Sequence, residues 1–173
     1  MAITLNGTTG ITDVNGTAAA PAITGTDTDS GMYFGTNSMG LATGGTTAVS
    51  IDSSQNVLVV GTGLGSLGYG TGAGGAVTQL TSRTTGVTLS KPTGAITMFS
   101  AAGSAIAATF IITNTLVAAT DNIIVSQKSG TNLYVLLVTA VAAGSFNITF
   151  YTTGGIATDA PVINFSVIKG VAA

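Results

Sequence analysis

Turn-forming residues recur so often in this sequence that few stretches are left long enough to build a helix. In the second half they fall at Lys91-Pro92-Thr93-Gly94, Lys128-Ser129-Gly130-Thr131-Asn132, Ala143-Gly144, Thr153-Gly154-Gly155 and Asp159-Ala160-Pro161. Pro fixes the backbone and Gly, Asn and Asp accept conformations that end regular structure. Between these breaks lie short runs rich in Val, Ile, Thr and Phe, at 76–80, 86–89, 95–99, 109–113, 122–127, 133–141, 145–151 and 162–168. Alternation is clear in two of them: Phe146, Ile148 and Phe150 oppose Asn147 and Thr149, and Ile163, Phe165 and Val167 oppose Val162, Asn164, Ser166 and Ile168. Such a set of short alternating pieces predicts an all-β fold, with an antiparallel, jelly-roll-like β-sandwich over 76–173. The Ala-rich stretch 100–108 offers a helical alternative, which Gly103 and the β-branched residues beside it weaken.

The first half reads differently. Asn-Gly-Thr occurs at Asn6-Gly7-Thr8 and again at Asn15-Gly16-Thr17, each after a short β piece, and Asn-Gly is a tight-turn signal. Met32-Tyr33-Phe34, Leu41-Ala42-Thr43, 48–52 and 56–60 continue the pattern. No run here can bury a face by itself, so 1–60 predicts an extended β arm that is ordered by assembly with identical chains. Small Gly and Thr side chains suit close approach to a shared axis. On that arrangement Ile3, Leu5, Ile11, Val14 and Ile23 point inward as the oligomer interface, and 27–31 forms an outward loop. Between the halves, 61–75 holds eight glycines in fifteen residues and reads as a linker.

Charge follows the same division. Residues 1–70 carry Asp13, Asp27, Asp29 and Asp52 and no base; residues 71–173 carry Arg83, Lys91, Lys128 and Lys169 against Asp121 and Asp159. Charged residues make up 6% of the chain, against about 25% in an ordinary soluble domain, while hydrophobic residues make up 45%. A surface so poor in charge predicts a protein partner, a copy of the chain included. Four basic residues do not make a phosphate-tracking surface, so nucleic acid is not an expected partner. The opening residues Met1-Ala2-Ile3-Thr4-Leu5 lack the basic and apolar regions of a secretory leader. The uncharged stretch 92–120 is broken by Thr, Ser, Asn and Gly, and reads as buried strands rather than a membrane span.

The missing residue types limit the chemistry. There is no His, Cys, Trp or Glu. That excludes a Ser-His-Asp triad, a thiol nucleophile, and zinc sites built on His or thiolate within one chain. Gly63-Leu64-Gly65-Ser66-Leu67-Gly68 spells a dinucleotide-binding pattern, but more glycines follow where the phosphate-binding helix should start. Ser166-Val167-Ile168-Lys169 spells S-x-x-K on a predicted strand, the wrong context for that motif. Asp27-Thr28-Asp29-Ser30-Gly31 begins like a calcium loop, and Asp27 and Asp29 are the one metal candidate, without the closing Glu. The same two acids are the nearest thing to a paired-carboxylate site, and nothing aromatic and polar surrounds them. The expectation is a protein with no enzymatic activity and no cofactor.

Two segments resemble known proteins. The run 16–24, then 27–31 and 44–57, resembles the shaft side of tailed-bacteriophage fibre proteins. The runs 68–79, with Gly68-Tyr69-Gly70-Thr71-Gly72, 83–89 and 160–171 resemble a small domain recurrent in phage structural proteins. The resemblance implies a virion component, a head fibre or capsid decoration (cement) protein that contacts the major capsid protein. The alternative it leaves is a tail fibre or adhesin subunit that binds a host surface glycan. It also implies a homotrimer, since fibre-like relatives are trimers. No membrane partner is expected.

Overall fold

The computed structural model describes residues 4–6, 10–12, 15–59 and 67–171, with side chains from residue 15 onward. The chain divides into two compact units, Met1–Gly68 and Tyr69–Ala173. Both are all-β, with no helix among the described residues. Among the described residues no helix is long and apolar enough to cross a membrane.

In the first unit β1 (Thr4–Asn6) pairs antiparallel with β2 (Gly10–Thr12), with Leu5 opposite Ile11. A separate five-stranded sheet follows in plain chain order: β3 (Ile23–Thr24), β4 (Gly31–Gly35), β5 (Ser38–Thr43), β6 (Thr46–Ile51) and β7 (Val57–Val59). Its connections are legible in their residues. Gly44 and Gly45 have φ of 56° and 72°, so the two-residue β5–β6 turn needs left-handed backbone twice, which glycine supplies without strain. The β6–β7 loop is organised by Asp52, whose carboxylate accepts the Ser54 and Asn56 amides, each at 2.9 Å, and the Asn56 side-chain amide at 3.0 Å.

The register of this meander sorts its side chains by face. One row runs Ile23, Met32, Leu41, Val49, Val59 across all five strands. A second row, two residues along, runs Phe34, Met39, Ile51, Val57. Alternation along each strand puts both rows on the same face. The opposite face carries the row Tyr33, Gly40, Ser50, Leu58. There the Tyr33 ring lies over Gly40, where any Cβ would collide with it, and its hydroxyl bonds the Thr47 hydroxyl at 2.6 Å.

The second unit contains two four-stranded sheets. The strands are β8 (Gly74–Thr78), β9 (Val87–Thr88), β10 (Thr93–Thr97), β11 (Ala101–Ala102), β12 (Ala108–Thr113), β13 (Asn122–Ser129), β14 (Tyr134–Ala142), β15 (Ser145–Thr152), β16 (Thr158–Asp159) and β17 (Val162–Ile168). The sheets run β13-β17-β10-β8 and β14-β15-β12-β9, and β11 pairs with β16 as a two-residue ladder. The alternation in β15 and β17 holds: Phe146, Ile148, Phe150, Ile163, Phe165 and Val167 are all buried. They share one apolar core with Ile96 and Ile123 of the first sheet and Phe110 and Ile112 of the second. Phe146 and Phe165 meet across it at 5.4 Å between ring centroids.

Two sequence expectations need correction. The sandwich is not purely antiparallel, because β8 pairs parallel with β10 and β9 pairs parallel with β12. Parallel neighbours need a crossover. Here the chain leaves one sheet, adds β9 or β10 to the other, and returns. Gly74 and Gly75, counted with the linker, are the first residues of β8. Their backbone entropy cost is offset by a close fit. Gly75 faces Gly94 in register, and a Cβ on either would lie 2.8 Å and 2.5 Å from the Leu89 methyls. Leu89 therefore occupies the pit the two glycines leave. The stretch 100–108 forms no helix, in line with Gly103 and its β-branched neighbours; it contributes β11, a loop and the first residue of β12.

Candidate functional site

The acids singled out from the sequence sit in the turn between β3 and β4. Asp27 is exposed and Asp29 half-buried. The Asp29 amide donates to the Asp27 carboxylate at 3.4 Å. Hydrogen bonding to Ser30 and to Asp29 lowers the Asp27 carboxyl below its ordinary value, whereas the proton shared with Asp27 and its negative charge raise that of Asp29. No third acid joins them; no cluster of three metal-binding side chains occurs among the described residues. Of the proposed interface residues, Ile3 and Val14 lie outside the described residues. Leu5 and Ile11 are directly opposed in the β1–β2 ladder, and Ile23 is 48% exposed on β3.

The larger of two clusters of ionisable side chains among the described residues was not foreseen. It lies at the end of the second unit where β11 and β16 meet. Arg83, from the β8–β9 connection, keeps only 9% of its side chain exposed and is bonded through all three of its guanidinium nitrogens. Nε donates to Phe99 O at 3.0 Å; Nη1 donates to the Tyr134 hydroxyl at 2.7 Å and Ala102 O at 3.3 Å. Nη2 reaches Ala101 O at 2.6 Å, Asp159 O at 2.7 Å and Asp159 Oδ1 at 2.8 Å. The Asp159 carboxylate also accepts the Tyr134 hydroxyl at 2.7 Å and the amides of Thr131 and Asn132 at 2.8 and 3.1 Å.

The electrostatics follow from those bonds. Burial alone would raise the Asp159 carboxyl, but the Tyr134 hydroxyl, the two amides and the Arg83 guanidinium together lower it to about 2. Burial, with the adjoining carboxylate, pushes the Tyr134 phenol up. Around this pair Gln79 bridges Arg83 O and Thr85 O to the Phe99 amide. Gln127 ties Asn132 O to the Tyr134 amide, and Asn132 binds Ala157 through both its side-chain atoms.

No buried side-chain nitrogen or oxygen, in this cluster or elsewhere among the described residues, lacks a hydrogen-bond partner. The arrangement is a fastener that joins four connections, β8–β9, β10–β11, β13–β14 and β15–β16, at one end of the sandwich. A second, smaller one ties the other end: Asp121 accepts the Ala118 and Gly170 amides at 2.8 and 3.1 Å and pairs with Lys169 at 2.5 Å. These bonds hold the Asp121 carboxyl below its ordinary value, the Ala118 amide most of all. The signal in the sequence was faint, because Arg83 and Asp159 stand 76 positions apart. Searches against protein-family models, curated proteins and solved structures found no match to this chain.

Proposed function

We propose that this chain is a structural component of a bacteriophage virion, decorating the capsid as a head fibre or cement protein. The observation that supports this reading best is how the chain uses its polar chemistry. The buried ions, Arg83 with Asp159 and Asp121 beside Lys169, are spent on internal fastening. What remains outward is broad, nearly uncharged sheet surface, the kind a protein carries when other proteins cover it. The resemblance of 16–57 and 68–171 to phage structural proteins supplies the assembly. Binding across capsid subunits would stabilise the assembled shell by mass action, because only that state offers the composite surface.

In this reading the working unit is a homotrimer whose arms, residues 1–60, wind together through Ile3, Leu5, Ile11, Val14 and Ile23. The chain performs no catalysis. Immunogold labelling of intact virions tests the placement: label on the head is expected, and label confined to the tail transfers the protein to the adhesin class. Incubation with host envelope polysaccharide tests the absence of catalysis. Chain shortening that is lost on Asp27→Asn or Asp29→Asn would contradict it.

A further inference from the structure

We propose that the concavity at one end of the β3–β7 meander, between the β4–β5 turn and the β6–β7 loop, binds a neutral saccharide. In a meander that runs in chain order every second connection falls at the same end of the sheet, which brings this turn and this loop side by side. They enclose an open concavity of about 500 Å³, within the size range of small-ligand sites. Phe34, Met39 and Ile51, from three neighbouring strands, give it an apolar wall. Asn37, Ser53 and Gln55 line it with polar groups, and all three are exposed. Every lining residue belongs to the first unit.

Backbone conformation marks the same place. Among the described residues only Asn37 and Gln55 combine a side chain with positive φ, at 56° and 67°, and both line the concavity. The other positive-φ positions are all glycine. Asn tolerates left-handed backbone, but Gln has no such local advantage. The β6–β7 loop is held by Asp52 through Ser54 and Asn56, and neither the Asn37 nor the Gln55 side chain bonds another described residue. Strain kept beneath two amides that face a concavity points to a ligand rather than to the fold. The lining then selects the ligand by elimination. Residues 1–70 contain no Lys or Arg to hold an anion, and no group of three metal-binding side chains occurs among the described residues. An apolar ligand would bury the amides without partners. A sugar suits both parts of the lining: its hydroxyls exchange hydrogen bonds with the amides and Ser53, and its C–H faces lie against Phe34 and Met39.

Saturation-transfer NMR on the full-length protein tests this, with glucose, galactose, mannose and N-acetylglucosamine at millimolar concentration as probes. Transfer to at least one of the four sugars is expected. Gln55→Gly and Asn37→Gly remove the amides while supplying the residue that left-handed backbone favours, so both variants should melt no lower than wild type. Each should weaken binding of that sugar by about fivefold or more. Absence of transfer to all four sugars overturns the proposal, as does binding that both variants leave intact. A glycine variant that melts lower than wild type overturns it too, because the side chain then serves the fold. The site goes beyond the capsid-decoration reading and does not rest on it: virion labelling judges the placement of the protein, and the sugar titration judges the site.

Discussion

Among the described residues, the Asp159 carboxylate accepts more hydrogen bonds than the other buried carboxylate, Asp121. The Asp159 carboxylate is buried and serves Arg83, Tyr134 and two backbone amides at once. Removing one partner from a buried ion pair strands the other, which costs about 3–5 kcal/mol. Arg83→Met or Asp159→Asn is therefore expected to lower the unfolding free energy of the second unit by that amount, measured by urea denaturation at neutral pH. The pH dependence has a definite sign. The folded carboxyl titrates at about 2, below its ordinary 3.8, so its stabilisation is complete above the ordinary value and is lost as pH falls towards 2. Thermal melts should hold steady from neutral pH down to about 5 and then fall, and Asp159→Asn should flatten the fall. Some slope will remain, because Asp121 is lowered in the same sense. Nothing local announced this cluster. Asp159 reads as an ordinary turn residue before Pro161, and Arg83 as one more solvated base, until tertiary structure brings them to 2.8 Å.

At the level of strands, local pattern carried far and then stopped. The alternation of β15 and β17 is intrinsic to their residues, and the Asn, Gly and Pro breaks around them are backbone properties, so both strands and their inward faces were legible. Partner choice is not a local property. The parallel edges β8 and β9 were invisible for that reason, and the two-residue strands β11 and β16 are too short to have a period. Gly74 and Gly75 misled because a glycine run signals freedom unless a neighbour requires its bareness. Here Leu89 requires it. Gly94→Ala would place a methyl group 2.5 Å from one Leu89 methyl and 2.9 Å from the Phe165 ring. Overpacking of this kind costs about 1–3 kcal/mol. Urea melts should show that loss, and adding Leu89→Ala should relieve the part due to Leu89 while the contact with the Phe165 ring remains, a coupling that a double-mutant cycle reads directly.

For the whole molecule, the two units differ in what they need. The second encloses its own core, so a fragment of residues 69–173 is expected to melt cooperatively, followed by circular dichroism. A fragment of residues 1–68 is expected to do so only with a concentration dependence that reports association. Tyr69 belongs with the second unit, because its hydroxyl donates to Val167 O. A fragment starting at residue 71 should be less stable by about 0.5–1.5 kcal/mol. The position of β17 has a consequence for biosynthesis. It follows every other sandwich strand in the chain, yet it lies inside its sheet, hydrogen-bonded to β13 on one side and β10 on the other. Until the ribosome has delivered residue 168, β10 and β13 have no common neighbour, and Ile163, Phe165 and Val167 are missing from the core. The nascent chain therefore keeps its other core phenylalanines uncovered until β17 arrives, and then closes by slow, non-local pairing. Pulse proteolysis of stalled nascent chains should find protection only once β17 has cleared the exit tunnel.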